Sequence, residues 1–181
     1  MNLYEKKDIT TDEIEYIKNT VNFLSAKEKA VKYLSLKLHC EKEVRKKLKD
    51  DGYENSVIQS VIAELVSMGY INDKIYARKY AYDRSKLKPI SRKLLRRELQ
   101  AKGINKEIID EVLADWEVDD AAIAESLVKR RFSKYDLSDE KIIKRIYSFL
   151  SYRGFSLEII ENIINKYKNN TQNNLIGYQK K

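Results

Sequence analysis

Two segments of this sequence are rich in basic side chains, which are well suited to bind anionic groups. Arginine pairs with carboxylates or phosphates through two parallel hydrogen bonds, and lysine binds them as a point charge. We therefore predict contacts to acidic protein surface or to the DNA backbone, although a basic helix face is often only solvated surface. The candidates in the first segment are Lys88, Arg92, Lys93, Arg96 and Arg97. Those in the second segment are Lys129, Arg130, Arg131, Lys144 and Arg145.

The sequence offers little for catalysis or metal binding. His39 and Cys40 are the single histidine and the single cysteine. They are adjacent, whereas a catalytic Cys–His pair normally comes from separate segments of the chain. One residue of each type is too few for a zinc site of the usual kind, and the phosphate-binding pattern G-x-x-x-x-G-K-[ST] does not occur. We expect no metal site, no cofactor, no Cys–His catalysis at these residues and no intrinsic nucleotide hydrolysis.

The composition is typical of a folded chain with a basic surface. The 181 residues include 36 lysines and arginines against 28 acidic residues, a formal net charge of +8, and 43% are hydrophobic. This apolar fraction argues against wholesale disorder, and the positive charge favours polyanions or acidic protein surfaces as partners. No apolar run approaches the roughly 20 residues that span a membrane, and residues 1–20 lack the features of a secretory signal. We expect a cytoplasmic protein without membrane contact.

A repeat of 51 residues organises the sequence. Gly52, Gly103 and Gly154 are spaced by this period, and each follows a leucine by four residues. Apolar residues recur at the same period, and within each unit they are spaced by three and four, which indicates amphipathic helices. Matched positions include Val44, Leu95 and Ile146, then Val57, Ile108 and Ile159, then Val61, Val112 and Ile163. We predict that the glycines end helices in the left-handed conformation.

This periodicity predicts an all-α fold of tandem three-helix repeats in a curved, elongated, solenoid-like array, plus an N-terminal helix. The segments are an N-terminal helical extension (1–25), repeat 1 (26–70), repeat 2 (71–117), repeat 3 (118–168) and a frayed tail (169–181). The predicted helices cover 12–24, 26–38, 41–51, 54–68, 73–86, 91–102, 105–116, 119–133, 139–152 and 156–168.

Capping residues support these helix starts. Ser91 is the predicted N-cap of the basic helix in repeat 2, and Cys40 occupies the equivalent place in repeat 1 as a poor cap. Asn72 and Asp73 are predicted to cap the helix that follows them. The 13 tyrosines invite comparison with base-stacking surfaces, but many fall on apolar stripes, and we interpret them mainly as core residues.

Short motifs occur in a fixed order along the repeats. They comprise Leu34-Ser35 through Glu43-Val44, Leu48 to Gly52, Gly69-Tyr70-Ile71-Asn72-Asp73 with Tyr76-Ala77, Glu98-Leu99 to Lys102-Gly103-Ile104, and Arg153-Gly154-Phe155. In this combination they resemble the RecX family of regulatory proteins, over about residues 26 to 167. The motif residues singled out are Gly52, Gly69, Tyr70, Ile71, Asn72, Asp73, Tyr76, Ala77, Gly103 and Gly154.

The resemblance implies a modulator of RecA, the recombinase that polymerises on single-stranded DNA. RecX proteins are tandem three-helix repeats that bind in the groove of the RecA filament and mostly inhibit its growth, ATP hydrolysis and strand exchange. The implied setting is homologous recombination, DNA repair and the SOS response. The implied protein is a monomer without enzyme activity, whose partner is the RecA filament on single-stranded DNA and whose own nucleic acid binding is weak and non-specific.

Two alternatives remain open at the level of sequence. Three short helices per unit and a basic charge also fit a helix-turn-helix-like DNA-binding protein or transcription regulator. Such a protein would bind duplex DNA with sequence preference and a steep salt dependence in the absence of RecA. A helical scaffold for some other protein would fit the repeats but leave the turn motifs unexplained.

Overall fold

The computed structural model of the protein describes residues 10–116, 119–137 and 139–178, with side chains as far as residue 168. These residues form nine α-helices and no strand. The first three helices are α1 (Thr11–Leu36), α2 (Glu41–Asp50) and α3 (Asn55–Ser67). The next three are α4 (Asp73–Leu87), α5 (Arg92–Ala101) and α6 (Lys106–Ala114). The last three are α7 (Asp120–Phe132), α8 (Glu140–Tyr152) and α9 (Leu157–Tyr178).

Several helices begin where the sequence predicts a cap. The Ser91 hydroxyl accepts a hydrogen bond from the backbone N–H of Leu94 (3.1 Å) and so caps α5. The Asn72 side chain accepts from the N–H groups of Lys74 (3.1 Å) and Ile75 (3.0 Å) at the start of α4. Cys40 precedes α2 and makes no side-chain cap hydrogen bond, as predicted. These contacts satisfy backbone donors that have no partner inside the helix.

The periodic glycines end helices in the predicted way. Gly52, Gly103 and Gly154 have φ angles of +89°, +81° and +80°, and Gly69 has +76°. Gly154 has a second constraint, because a Cβ atom there would lie 2.6 Å from Leu94 Cβ. Glycine therefore serves at this position both for its left-handed conformation and for a close approach between repeats 2 and 3.

Two predicted boundaries differ from the structure by more than two residues. The predicted break between helices 12–24 and 26–38 is wrong, because α1 runs without interruption from Thr11 to Leu36. No glycine or proline occurs in that stretch, so nothing in the backbone ends the helix at Ser25. At the other end, α9 continues past the predicted end at residue 168 as far as Tyr178. The side chains of this tail and residues 179–181 lie outside the described part of the chain.

The chain divides into two compact units, Met1–Tyr76 and Ala77–Lys181. In the first unit, a core of aliphatic side chains joins α1, α2 and α3. Ala26 and Ala30 of α1 are fully buried there against leucines and isoleucines such as Leu48 and Ile62. Burial of a leucine or isoleucine side chain stabilises a fold by about 2 kcal/mol, so this cluster holds the three helices together.

The second unit begins within α4 and contains repeat 3 and the rest of repeat 2. Leu95 and Leu99 of α5 are fully buried, and α5 packs against α6, whose Ile109 is also fully buried. In repeat 3, the buried residues of α7, α8 and α9 form one cluster that includes Phe132, Leu150 and Ile160. The tandem three-helix architecture predicted from the sequence is therefore the architecture of the fold, and it places the basic helices α5 and α8 in the same unit.

A hydrogen-bonded joint connects repeats 2 and 3 within this unit. The backbone N–H of Ser91 donates to the Arg153 carbonyl (3.0 Å), and the Ser91 hydroxyl donates to the Gly154 carbonyl (2.7 Å). The start of α5 is thus attached to the turn that follows α8. These two hydrogen bonds fix the C-terminal end of α8 against the start of α5.

Candidate protein and nucleic-acid interface

Arg92, a predicted contact residue, is bound within the fold. One terminal nitrogen of its guanidinium donates to the carbonyls of Leu113 (2.8 Å) and Trp116 (2.6 Å). These carbonyls lie at the C-terminal end of α6, where helix groups have no partner of their own and the helix dipole favours a cation. In this position Arg92 joins α5 to α6, and its charge is largely committed to that contact.

Two further arginines of repeat 2 are paired with acidic residues. Arg96 forms an ion pair with Asp110 of α6 (2.5 Å). Arg84 of α4 binds both carboxylate oxygens of Glu98 (2.5 and 2.7 Å) and also contacts the Tyr80 hydroxyl. The Glu98 carboxylate accepts a further hydrogen bond from Tyr80 (2.9 Å), so a closed network joins α4 to α5.

The other candidates of repeat 2 are exposed. Lys88, Lys93 and Arg97 all lie on the surface, and no carboxylate among the described residues forms an ion pair with them. Lys88 lines a cleft of about 550 Å³ together with side chains from α4, α5 and the end of α8. The structure thus separates the predicted group of repeat 2 into two residues held by the fold, Arg92 and Arg96, and three residues open to a partner.

The basic residues of repeat 3 gather around aromatic rings. Arg131 of α7 and Lys144 and Arg145 of α8 line one cleft of about 310 Å³, together with Phe132, Ser148 and Phe149. The guanidinium of Arg131 lies 4.9 Å from the centre of the Phe149 ring, and that of Arg145 lies 5.2 Å from the centre of the Tyr135 ring. Cation–π contacts of this kind hold the arginine side chains in place without neutralising their charge.

Arg153 extends this group, although the charge pattern alone did not single it out. Its guanidinium lies 3.9 Å from the centre of the Phe149 ring. Burial lowers the Arg153 pKa, and the nearby positive charges of Arg131 and Arg130 lower it further. Repulsion between these cations indicates a local excess of positive charge, which attracts anions.

Among the basic candidates of repeat 3, some form ion pairs and others do not. Lys129 pairs with Glu125 one helical turn earlier (2.9 Å), and Lys166 of α9 pairs with the same carboxylate (2.8 Å). Side-chain hydrogen bonds from these lysines lower the pKa of Glu125. No described carboxylate forms an ion pair with Arg130, Arg131, Lys144 or Arg145. These four residues are therefore the unneutralised members of the second predicted segment.

The motif around residue 70 connects the start of α4 to the start of α2. Ile71 is buried in the first core, Asn72 caps α4, and the Asp73 carboxylate accepts a hydrogen bond from the backbone N–H of Glu41 (2.8 Å). The prediction that Asp73 caps its own helix is therefore wrong, since Asp73 is the first residue of α4 and caps α2. Tyr76 is buried and donates to Glu43 (3.1 Å).

The remaining motif residues also serve the backbone and the core. Ala77 is fully buried, Gly69 has a left-handed backbone, and Tyr70 is exposed at the turn. Together with Gly52, Gly103 and Gly154, these residues shape the turns and joints. The motif therefore identifies the architecture, and the basic faces remain the candidates for contact with a partner.

His39 and Cys40 lie away from any open site. The Cys40 side chain is fully buried, and His39 is 3% exposed with its Nδ1 atom 3.0 Å from the Glu43 carboxylate. Both residues belong to the packed junction before α2. Among the described residues, no group of three histidine, cysteine, aspartate or glutamate side chains could hold a metal ion.

Exposed tyrosines are a further feature that the sequence interpretation missed. Tyr76 is buried as expected, but Tyr152 at the end of α8 is 84% exposed and lines the same cleft as Lys88 and Arg153. The interpretation of most tyrosines as core residues does not extend to Tyr152. The available signal was its position beside Arg153, on the same face of α8 as Lys144 and Arg145.

The fold and the basic faces together define an all-helical repeat protein with surfaces suited to binding. The chain matches three family models in order, described as the first, second and third three-helix domains of RecX, over residues 26–65, 72–113 and 117–164. It therefore belongs to the RecX family of regulatory proteins, as the sequence motifs suggested. No helix among the described residues combines the length and the apolar character needed to span a membrane.

Curated relatives agree with this assignment. Regulatory protein RecX of Clostridioides difficile (strain 630) is 30% identical over 170 residues, which cover 93% of this chain and 80% of that protein. Regulatory protein RecX of Chlorobium phaeobacteroides (strain BS1) is 31% identical over 137 residues, covering 76% of this chain and 89% of that protein.

Solved structures show the same fold. The crystal structure of RecX from Lactobacillus salivarius matches with a TM-score of 0.65 and 27% identity, covering 82% of this chain and 97% of that one. A second crystal structure, of regulatory protein RecX, matches with a TM-score of 0.73, covering 90% of this chain and 81% of that one. Its 23% identity makes it evidence for the fold alone.

Proposed function

We propose that this protein binds the RecA filament on single-stranded DNA and inhibits filament growth, ATP hydrolysis and strand exchange, in homologous recombination, DNA repair and the SOS response. The observation that carries the proposal is the presence of all three RecX three-helix domains, in order, between residues 26 and 164. The protein acts by binding, as a monomer, and not as an enzyme. Its role is to lie along the filament and restrict the movement or addition of RecA protomers.

The exposed cations supply a contact surface for such a filament. Lys93 and Arg97 project from α5, and Lys144 and Arg145 project from α8, in two successive repeats of one unit. A nucleoprotein filament offers both acidic protein surface and DNA phosphates, and complementary charge speeds and orients association with it. The charges of Arg92 and Arg96 contribute less, because each already makes hydrogen bonds or an ion pair within the protein.

One alternative function draws on the same surface. The unneutralised cations of α8 also suit a helix-turn-helix-like DNA-binding protein that acts without RecA. Such a protein would bind one duplex sequence far more tightly than others, since base-edge contacts distinguish sequences and phosphate contacts do not. The filament modulator should instead bind naked DNA weakly and without sequence preference.

The decisive experiment is the DNA-dependent ATPase of RecA on single-stranded DNA, measured with this protein well below the RecA concentration. Loss of ATPase at such ratios is expected, because one bound molecule that blocks growth affects many protomers. A charge-reversed variant, K93E/R97E, should inhibit less at every concentration. An unchanged ATPase, combined with tight and sequence-selective duplex binding, would replace the proposal with the alternative function.

A further inference from the structure

We infer that the outward face of α8, together with Arg131 and Arg153, binds single-stranded DNA. Arg131, Lys144 and Arg145 would contact phosphates, and the exposed ring of Tyr152 would stack on a base. The inference rests on the proposed function, because the filament is what presents single-stranded DNA to this surface. It narrows that function by assigning repeat 3 to the nucleic acid.

The cations of this surface are available for an anion. They line a cleft of about 310 Å³, and no described carboxylate forms an ion pair with Arg131, Lys144 or Arg145. In α8 the only acidic residue is Glu140, at the start of the helix and at the far end from Tyr152. Phosphate oxygens are the acceptors that such cations bind most readily.

Tyr152 adds an aromatic platform beside these charges. Its side chain is 84% exposed, so neither face of the ring is committed to the core. It lines the cleft of about 550 Å³ with Arg153 and Lys88, while Arg153 also contacts Phe149 in the smaller cleft. The cations of α7 and α8 are thereby connected through Arg153 to the exposed ring. Surfaces that combine a basic groove with exposed aromatic rings are typical of single-strand binding.

Repeats 1 and 2 lack this combination at equivalent positions. A shift of one period places Leu94 and Glu43 at the position of Arg145, and it places Ala101 and Asp50 at the position of Tyr152. The position of Arg153 is Lys102 in repeat 2 and Asp51 in repeat 1. Repeat 1 therefore has acidic residues at all three positions, which would repel DNA, and repeat 2 has no aromatic ring there. Only repeat 3 joins cations and an aromatic ring on the second helix.

The exposed ring favours single-stranded DNA over duplex DNA or acidic protein. In a duplex the bases are paired and stacked on each other, so a ring on a helix surface finds no free base. An acidic protein surface would use the cations but would gain nothing specific from an exposed tyrosine. The face from Lys141 to Tyr152 is about 16 Å long at 1.5 Å per residue, which suits contact with a few nucleotides.

The test is fluorescence anisotropy of the full-length protein with a dye-labelled single strand, and with a duplex of the same length, over a range of salt concentrations. K144E/R145E should weaken single-strand binding at least tenfold. Loss of two phosphate contacts should also reduce the salt slope by about 1.4. Tyr152→Ala should weaken binding on the order of tenfold, and Tyr152→Phe should retain it, because stacking needs the ring and not the hydroxyl.

A matched control lies on the second helix of repeat 1. K46E/K49E makes the same change in net charge at two exposed lysines of α2 and should bind the single strand nearly as well as the unaltered protein. Equal losses of single-strand affinity in K46E/K49E and K144E/R145E would show that net charge alone accounts for the effect, and this result would overturn the inference. So would a Tyr152→Ala variant with unaltered binding.

The RecA ATPase assay, run in parallel on the same variants, separates this inference from the proposed function. If the unaltered protein inhibits RecA while K144E/R145E keeps its single-strand affinity and loses inhibition, α8 contacts protein and the DNA assignment fails alone. If the unaltered protein has no effect on RecA, the proposed function fails, whatever the DNA affinities. Thermal unfolding followed by circular dichroism verifies that each variant is folded.

Discussion

The carboxylate of Asp120 accepts a hydrogen bond from the backbone N–H of Arg92, with N–O distances of 2.9 and 3.2 Å. Arg92 begins α5 and Asp120 begins α7, so the first helix of repeat 3 caps the second helix of repeat 2. The same contact occurs in the first unit, where the carboxylate of Asp73 in α4 accepts a hydrogen bond from the backbone N–H of Glu41 at the start of α2 (2.8 Å). Since Arg92 lies one period after Glu41, each contact is an instance of one recurring joint between consecutive repeats.

Removal of the carboxylate should weaken this joint. Asp120→Ala leaves the Arg92 N–H without its acceptor, and loss of a helix cap lowers the free energy of unfolding by about 1 kcal/mol. Asp120→Asn keeps an acceptor of the same shape and should lose less. Urea unfolding of the two variants measures the difference. Equal stability of Asp120→Ala and the unaltered protein would show that solvent replaces the contact without loss.

The same two aspartates should give the fold a characteristic pH dependence. Burial raises the pKa of Asp73 and of Asp120 above the ordinary value of 3.8, and this effect exceeds the lowering by the backbone hydrogen bond. In the folded state each carboxyl thus keeps its proton to a higher pH than in the unfolded chain. The stabilisation that this proton provides is present below pH 3.8 and is lost as the pH rises through the folded-state pKa.

Asparagine does not titrate, so Asp120→Asn lacks this loss. The free energy of unfolding of Asp120→Asn should therefore increase relative to that of the unaltered protein as the pH rises above 3.8, and then level off above the folded-state pKa. Urea unfolding at intervals between about pH 4 and pH 7 measures the difference. A difference that shrinks with rising pH would mean that the hydrogen bond and the helix dipole outweigh burial.

Gly154 and Gly52 allow conformational strain to be separated from a steric clash. Both have left-handed φ angles, +80° and +89°, but a Cβ at Gly52 meets nothing within 4 Å, whereas one at Gly154 would lie 2.6 Å from Leu94 Cβ and 2.7 Å from Ser91 Oγ. Gly52→Ala should lower the free energy of unfolding by about 1–2 kcal/mol, from backbone strain alone. Gly154→Ala should lower it by about 2–5 kcal/mol, because the clash adds to the strain.

Urea unfolding of both glycine variants provides the measurement. The loss of stability in Gly154→Ala should exceed that in Gly52→Ala. The reason is that the Cβ of Leu94 is fixed to the backbone and cannot rotate away from the clash. A matching loss in the two variants would mean that repeats 2 and 3 separate slightly and relieve the clash. In that case the hydrogen bond from Ser91 to the Gly154 carbonyl would not hold the joint closed.

The sequence predicts the fold well wherever the signal is local. The left-handed glycines, the apolar stripes and the Ser91 cap are each properties of a few neighbouring residues, and the structure confirms them. The predicted break at Ser25 has no glycine or proline to support it, and α1 is continuous there. The sequence predicts Asp73 as a cap of its own helix because it cannot show that the start of α2 lies beside this residue.

The site is less predictable because its chemistry depends on partners far along the chain. Arg96 is separated from Asp110 by 14 residues, and Arg92 from the Trp116 carbonyl by 24. A basic helix in sequence therefore looks the same whether its arginines are paired or open. Tyr152 was missed for a related reason, since aromatic residues on helices are usually buried and only the folded unit shows this one exposed.

Arg92 and Arg97 should separate folding from binding. Arg92→Ala removes a cation from the carbonyls of Leu113 and Trp116, and loss of such charged hydrogen bonds lowers the free energy of unfolding by about 1.5–3 kcal/mol. Arg97 is exposed, and its replacement by alanine should change stability by less than about 0.5 kcal/mol. Urea unfolding measures both values.

In the RecA ATPase assay the order of the two effects should reverse, so that Arg97→Ala has the larger effect. The temperature must be kept well below the melting temperature of the less stable variant. Arg97→Ala, with its fold intact, should inhibit less than the unaltered protein because a contact to the filament is lost. Arg92→Ala should inhibit nearly normally, because its charge already serves the carbonyls of α6. Normal inhibition by Arg97→Ala and K93E/R97E would remove α5 from the contact surface and leave α8 as the basic helix that meets the filament.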